Sequence, residues 1–440
     1  MRLFVDFCYL VAAVALAPVV AVHAWMTGKY RSDWPARLGA SPALPAHPAR
    51  VWFHAVSVGE VNAIQGLVEA LVEARPDVEV VISTTTDTGI ARARQLFADR
   101  VVFRYPLDFS WAVRRSLDRI GPAMIVLVEL EVWYQFVTEA SSRGIPVVVV
   151  NGRLSERSAG RYGWIRPFTR RMFRTLSAVA AQDASYAERF VRLGVPADRV
   201  AVTGSMKWDT AQVTDTLPGT DALAQAMGLA EDRPTWVCGS TGPGEEAVIL
   251  DAWRTLRDTQ PELQLVLVPR KPERFDEVAE LIGRSGYQCI RRSASPDGTR
   301  RSPVDQAVAL GDTMGELRKF YLLADVVFVG RSLAAMGGSD TMEVAALARP
   351  IVVGPHNGNF AETTAQLQGE QAIRILSADL TAPGTARALA DCVGDLLKDR
   401  QEADAMAARA RQVVLRNRGA IARTQALVTE RLPRAEHRAS

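Results

Sequence analysis

The residues of this chain best suited to chemistry are acids placed where strand-like runs end. In VWFHAVSVGE, Val51 to Glu60, an apolar β-type run stops at a Gly-Glu pair just as a helical pattern begins. Ligands of open α/β sheets sit beyond the carboxyl ends of the strands, and Gly59 would let the backbone turn tightly, so Glu60 is placed to face a cleft. The plainer reading is an acid in a first helical turn, favoured by the helix dipole. Glu129 and Glu131, in VELEVW, alternate at another strand end and so share a face; such a pair raises one pKa for acid or base work, unless one acid simply pairs with Arg153. His54 and His356 each stand alone beside apolar residues, where a histidine is more often a hydrogen-bonded structural group than a proton carrier.

A second set of residues suits an anion. Gly337 to Glu343, GGSDTME, puts glycines and Ser-Asp-Thr before a helical run, leaving N–H groups free for a phosphate, although Asp340 and Glu343 also read as a D-x-x-E capping box. Gly239 to Glu246, GSTGPGEE, repeats the order of strand, glycine-rich turn and acidic helix start, and is otherwise an ordinary βα loop. In PRKPER, Arg270 leaves the strand LQLVLV at the sheet edge, where its fork suits a phosphate or carboxylate. Asp312, in DTMGEL, reads as a helix cap. No metal-ligand spacing, G-x-S-x-G or P-loop is found.

The elements that must position these residues alternate regularly between strand and helix, the pattern of parallel sheets. Strands are expected at Val51 to Val56, Val78 to Ser83, Val101 to Tyr105, Ala123 to Glu129, Pro146 to Asn151, Ala178 to Gln182 and Val200 to Thr203. Helices include Val61 to Ala74 and Tyr186 to Leu193, the latter closed by Gly194. After a linker at Gln212 to Thr220 the alternation restarts, with strands at Thr235 to Cys238, Leu263 to Val268, Val326 to Val329 and Ile351 to Val353 and helices from Glu245, Phe275 and Thr341. Ser293 to Val304 is a surface loop, and a helical end runs from Thr385 to Leu432 before a frayed tail. Two α/β halves predict an interdomain cleft where ligand sites concentrate. The expected boundaries are 1–30, 45–210 and 225–432.

Composition narrows the partners. The 440 residues are 48% hydrophobic, enough for two cored domains, and a net charge of +3 without a dense basic face argues against nucleic acid. Cys8, Cys238, Cys289 and Cys392 form no C-x-x-C pair and read as thiols of a reducing compartment. Phe7 to Met26 is an apolar run of bilayer-spanning length, interrupted only by Pro18. A signal peptide cut near Val22-His23-Ala24 competes, but Lys29, Arg31 and Arg37 follow the run and only Arg2 precedes it, so a retained anchor with the body cytoplasmic is expected. Trp25, Tyr30 and Trp34 suit the headgroup level, beyond which a Pro-rich linker spans Ser41 to Pro48.

HAVSVGE, VELEVW, NGRLSERS, GSMKWD, GSTGPGEE, PRKPER, GDTMGEL, GGSDTME and GPHNGNFAE occur in one order along the chain. In that order they resemble the 3-deoxy-D-manno-octulosonic acid (Kdo) transferases. The resemblance implies a GT-B glycosyltransferase fold of two Rossmann-like domains and an inverting transfer of Kdo from CMP-Kdo to a lipid A precursor at the inner membrane. No cofactor or metal is expected. It makes Glu60 the general base and Glu131 and Lys207 supports of the transition state. Pro269, Arg270, Met314, Gly315, Glu316, Asp340, Thr341, Met342 and Glu343 are implied to hold CMP-Kdo. Four places depart from the family pattern: Ser339-Asp340 replaces His-Asn, Gly242 replaces His, Arg331 replaces Gly, and Val132, Tyr134 and Gln135 alter the motif around Glu131. Arg331 is expected to restore positive charge lost with the histidines.

Overall fold

The computed structural model describes residues 2–27, 33–164, 166–296 and 306–433. The expectations for Lys29, Tyr30 and Arg31, the side chains of His23 and Ala24, much of the Ser293 to Val304 loop and the tail after Pro433 lie outside the described residues. The chain forms two compact units, one of residues up to Thr210 together with those from Asn417 onward, the other Ala211–Arg416. Eight helices matter below: α1 (Arg2–Thr27), α2 (Val58–Ala63), α3 (Tyr134–Ser142), α4 (Glu156–Trp164), α5 (Arg166–Arg174), α6 (Glu245–Arg257), α7 (Met342–Ala346) and α8 (Ala420–Arg431).

In the first unit, strands β1 (Arg50–His54), β2 (Glu79–Thr84), β3 (Val101–Arg104), β4 (Met124–Val128), β5 (Val147–Gly152), β6 (Ala178–Ala181) and β7 (Val200–Val202) make one parallel sheet. The central strands are near-continuous Val, Ile, Leu and Met because both faces are covered. Alternate residues feed opposite cores: Ile125, Leu127, Val147 and Val149 pack on one face, and Met124, Val126, Val148 and Val150 on the other. The strand order is β3-β2-β1-β4-β5-β6-β7, so the winding reverses between β1 and β4. In an open parallel sheet the ligand crevice lies beyond the carboxyl ends of the two strands at such a reversal.

The second unit repeats the plan with β8 (Thr235–Thr241), β9 (Gln264–Pro269), β10 (Gln288–Arg291), β11 (Ala307–Leu310), β12 (Val326–Val329), β13 (Ile351–Val353) and β14 (Arg374–Ile375), in the order β10-β11-β9-β8-β12-β13-β14. Its reversal falls between β8 and β12. Strands β10, β11 and β14 were not expected. They are two to four residues long and lie toward the sheet margins, too short for a period-2 pattern to show. Helix α8, expected to end the second half, instead packs in the first unit: Ala420 and Val428 join its core, and Asp209 accepts from the N–H groups of Gly419 and Ile421 at 2.5 and 2.6 Å.

The N-terminal apolar run is helical as expected, and α1 is long and apolar enough to cross a membrane. Its first turns, however, are fixed to the first unit. The Asp6 carboxylate accepts from the Ser110 N–H at 2.8 Å, the Tyr9 hydroxyl donates to Asp108 at 3.0 Å, Arg2 pairs with Glu139, and Val5 is buried. From Leu10 to Val19, and at Val22, Trp25 and Met26, the helix is exposed. Only residues 28–32 separate its end from Asp33, which is again fixed by Arg104 at 2.8 Å. That many links reach about 20 Å at most, against a hydrocarbon core of about 30 Å. α1 is thus an apolar helix held to the first unit at its first turns, and the chain is held to that unit again at Asp33. Arg37, expected as a headgroup cation, is buried and reaches the Thr85 carbonyl at 3.5 Å.

Candidate active site

Glu60 lies beyond the carboxyl end of β1, at the reversal of the first sheet. Ser57 caps α2, and its hydroxyl donates to Glu60 Oε1 at 3.0 Å while the Val56 N–H donates to Oε2 at 2.7 Å. Glu60 is thus both the first-turn acid of a capping arrangement and a fixed carboxylate at the sheet edge, so the two readings of this residue coincide. Gly59 is an ordinary helical residue here; a Cβ on it would meet nothing closer than the Ser57 hydroxyl at 3.8 Å. Burial pushes the Glu60 carboxyl up to about 7 against the Val56 N–H, and the charges of Glu129 and Glu131 add to the rise.

Those two acids come from the loop after β4, the other strand of the reversal. They do not share a face by pleat alternation, as expected, because β4 stops at Val128 and Glu129 turns into the left-handed region with φ 59°. For a residue with a side chain that conformation is strained, and such strain gathers at functional sites. The Trp133 indole donates to Glu131 Oε2 at 3.0 Å; burial raises the Glu131 pKa and Glu129 adds to it. Three carboxylates thus crowd one edge.

His54 ends β1 but is fully buried, with Nδ1 against Ser83 Oγ at 3.0 Å and its ring stacked on Tyr105. Burial pushes its pKa down to about 3, so it stays neutral and structural. His356 lies 3.4 Å from Asp379. Lys207 sits on a short 3₁₀ turn, Met206–Thr210, whose Met206 and Trp208 are buried and whose Asp209 caps α8. Its exposed amine bonds to no described residue.

In the second unit the reversal between β8 and β12 opens a cavity of about 480 Å³ lined by Ser240, Arg270, Arg331, Ser339, Asp340 and Glu343, among others. Arg270 follows β9 directly and its guanidinium bonds to no described residue, though its charge is felt by Glu343. Glu343 is raised by burial and then by Asp340. Asp340 accepts from the Met342 N–H at 2.8 Å, but Thr341 stands at the N-cap without a side-chain cap bond, so the expected D-x-x-E capping box does not form. Helix α7 is only five residues long and one of its free N–H groups is already taken, so cations rather than a helix terminus carry the positive charge here. Thr341 and Met342 are buried beneath the cavity, and Ser339 Oγ and Thr341 Oγ1 are buried without a partner.

Pro269 closes β9 in the core. Met314 is exposed and Gly315 has φ 86°, while Glu316 is held by Arg292 at 2.9 Å and Thr313 at 2.7 Å. Burial opposes ionisation of Glu316, but these donors and the Arg292 charge outweigh it and keep its pKa low. The Met314–Glu316 segment leads into Leu317, which lines the cavity. Asp312, expected as a helix cap, instead accepts from Arg291 Nε at 2.6 Å and from Ser293, tying down the end of β10.

Two acids here escaped the sequence reading. Glu245 is fully buried and accepts from four backbone N–H groups, those of Gly242, Arg331, Ser332 and Leu333, at 2.6 to 2.9 Å. It holds the loop after β12 and so sets Arg331, whose φ is 60°. Glu246, also fully buried, takes a bidentate pair from Arg274 at 2.6 and 3.0 Å, so Arg274 of the PRKPER motif is structural and Arg270 is the free one. At Gly242 a Cβ would stand 2.8 Å from Met336 Sδ and 3.2 Å from Arg331 Cγ: the space beside this glycine is filled by Met336 and Arg331.

Two parallel, doubly wound units, each with polar groups at its reversal, define the GT-B glycosyltransferase class. MurG from Acinetobacter baumannii shares that fold at a TM-score of 0.54 and 14% identity over 87% of this chain and 100% of its own. UDP-GlcNAc 2-epimerase from Neisseria meningitidis does so at 0.54 and 13%, with the same coverage. The family profile described as 3-deoxy-D-manno-octulosonic-acid transferase matches residues 32–210. The 3-deoxy-D-manno-octulosonic acid transferase of Haemophilus influenzae is 36% identical over 88% of both chains, and that of Bordetella pertussis 35% identical over 94% of this chain and 97% of its own. The chain belongs to the 3-deoxy-D-manno-octulosonic acid transferase family.

Proposed function

We propose that this protein is an inverting Kdo transferase of lipopolysaccharide synthesis, moving Kdo from CMP-Kdo to a hydroxyl of a lipid A precursor. The observation that carries the mechanism is the Glu60 carboxyl, fixed by two donors at the sheet reversal and raised to about 7, where a general base works best near neutral pH. Glu60 takes the acceptor hydroxyl proton as that oxygen bonds to the anomeric carbon and the bond to the CMP phosphate breaks. Glu131 and Lys207 support the cationic character and charge shift of the transition state, and Glu129 keeps the proton affinity of its neighbours high. Arg270 and Arg331 meet the charge of the departing CMP phosphate, with Asp340 and Glu343 toward sugar or ribose hydroxyls and Met314 to Glu316 shaping the nucleoside side. Pro269, Thr341 and Met342 support that wall from beneath.

No metal enters this scheme, since one phosphate faces two guanidinium groups. The arm α1 keeps the protein on the cytoplasmic face of the inner membrane, where both substrates meet it. Purified protein with CMP-Kdo and lipid A precursor should release CMP and add one or more Kdo masses to the lipid, with chelator present or absent. CMP release without a lipid product would overturn the transfer, and loss of activity on chelation would overturn its metal-free form.

A further inference from the structure

Between the first turns of α1 and helix α5 lies an apolar pocket of about 400 Å³, lined by Val5, Tyr9, Val132, Tyr134, Phe168 and Met172. Nothing in the transfer chemistry uses it, yet it adjoins the carboxylate cluster through a single side chain. Trp133, half exposed, lines the pocket and donates its indole N–H to Glu131. A molecule seated in the pocket therefore ends beside the acids.

Its surroundings state what kind of molecule that is. On one side the exposed apolar surface of α1 continues from Phe4 and Phe7 to Leu10 and Val11, so the pocket opens toward the hydrocarbon that this arm enters. On the other side stand α4 and α5. From Arg157 to Arg174 they carry six arginines and no acid, all six exposed and none in an ion pair among the described residues. Trp164 at the end of α4 is 92% exposed, an amphipathic ring at the level where such rings meet headgroups. An apolar slot beside unpaired guanidinium groups fits one chemistry, an acyl chain attached to an anionic, phosphorylated headgroup.

The geometry points to this pocket as an acyl-chain subsite of the acceptor: one chain of the phosphorylated glycolipid enters between α1 and α5, its phosphate meets the α4–α5 arginines, and its sugar hydroxyl reaches Glu60 past Trp133. This rests on the acceptor reading above but is tested through binding, not turnover. Cys8 lines the pocket with an exposed side chain and serves as the probe.

The full-length protein is placed in nanodiscs of zwitterionic phospholipid, and maleimide labelling of Cys8 is followed by peptide mass mapping. Adding the acylated acceptor should slow labelling at least about fivefold, while the same acceptor stripped of its chains should not, because only the acylated form has a chain to seat over Cys8. Equal labelling in all samples, or a Cys8 already protected by the phospholipid alone, overturns the subsite. Filling the pocket with Cys8→Trp should lower the ratio of kcat/KM for acylated over deacylated acceptor about tenfold, and an unchanged ratio counts against it. Protection of Cys8 in a protein that transfers no Kdo leaves the subsite standing and removes the transfer reading instead.

Discussion

Replacing Glu60 by Gln separates two consequences of the same carboxylate. The amide oxygen of Gln can still accept from the Val56 N–H, and the Ser57 hydroxyl can turn to accept from the amide nitrogen, so both local hydrogen bonds survive in neutral form. What disappears is the proton acceptor. Loss of a positioned general base costs about 10²- to 10⁴-fold in rate. CMP release with the lipid acceptor should fall by that factor while CMP-Kdo binding, followed by calorimetry, stays within about twofold.

The stability of the same variant moves the other way. The folded wild type keeps the Glu60 proton until about pH 7, whereas the unfolded chain releases it near the ordinary carboxylate value of 4.5. Between these values the folded state binds more protons, so this group costs stability progressively as pH rises through the window, and the full cost is present above pH 7. The shift corresponds to about 3 kcal/mol at full burial, cut to roughly 1–2 kcal/mol for a half-buried group. Glu60→Gln removes that cost. Its melting temperature should match wild type at pH 5 and exceed it by a few degrees at pH 8. Near-normal turnover would refute the base assignment, and a difference in melting temperature that is the same at both pH values would refute the raised proton affinity.

Three further outcomes follow from the remaining geometry. Arg270→Ala should raise the KM for CMP-Kdo by about 10- to 100-fold in a steady-state titration, with only partial recovery in Arg270→Lys, because a point charge replaces a planar fork. Glu245→Ala leaves four buried N–H groups without an acceptor and should lose several kcal/mol in chemical denaturation, with protease cuts appearing first in the loop after β12. An epitope tag ahead of Arg2 should be digested in inside-out membrane vesicles and protected in spheroplasts, since the first turns of α1 and Asp33 beyond it are both fixed to the first unit; the opposite pattern would favour a spanning helix.

The sheet architecture was largely legible because buried parallel strands write themselves as continuous apolar runs, as in MIVLV and VVVVNG. Strands β10 and β14 carry no such run, and β11, AVAL, is only four residues long; all three were missed. Glu60 was legible as a residue at a strand-to-helix junction, but not its raised proton affinity, which comes first from burial in the fold and then from Glu129 and Glu131, in the loop after a strand that becomes a neighbour only when the sheet is wound. Glu245 was illegible for the same reason: three of its four donors lie 86 to 88 residues away. The docking of α1 was hidden because Asp6 stands just ahead of the apolar run and Tyr9 reads as part of it, while the partners that hold them, Ser110 and Asp108, are 104 and 99 residues away.

Gly242 and Arg331 share the space beside Met336. A side chain at position 242 would set its Cβ 2.8 Å from Met336 Sδ and 3.2 Å from Arg331 Cγ, so the Met336 end and the Arg331 stem would have to move to admit it. Arg331 in turn holds a left-handed backbone, a conformation suited to the glycine usual at its position, and it does so because its N–H is pinned by Glu245 at 2.6 Å. A guanidinium thereby stands at the cavity wall, where its planar fork suits a phosphate. The acidic limb of activity should be set by Glu60, whose carboxyl burial raises to about 7, so that turnover falls as pH drops below that value.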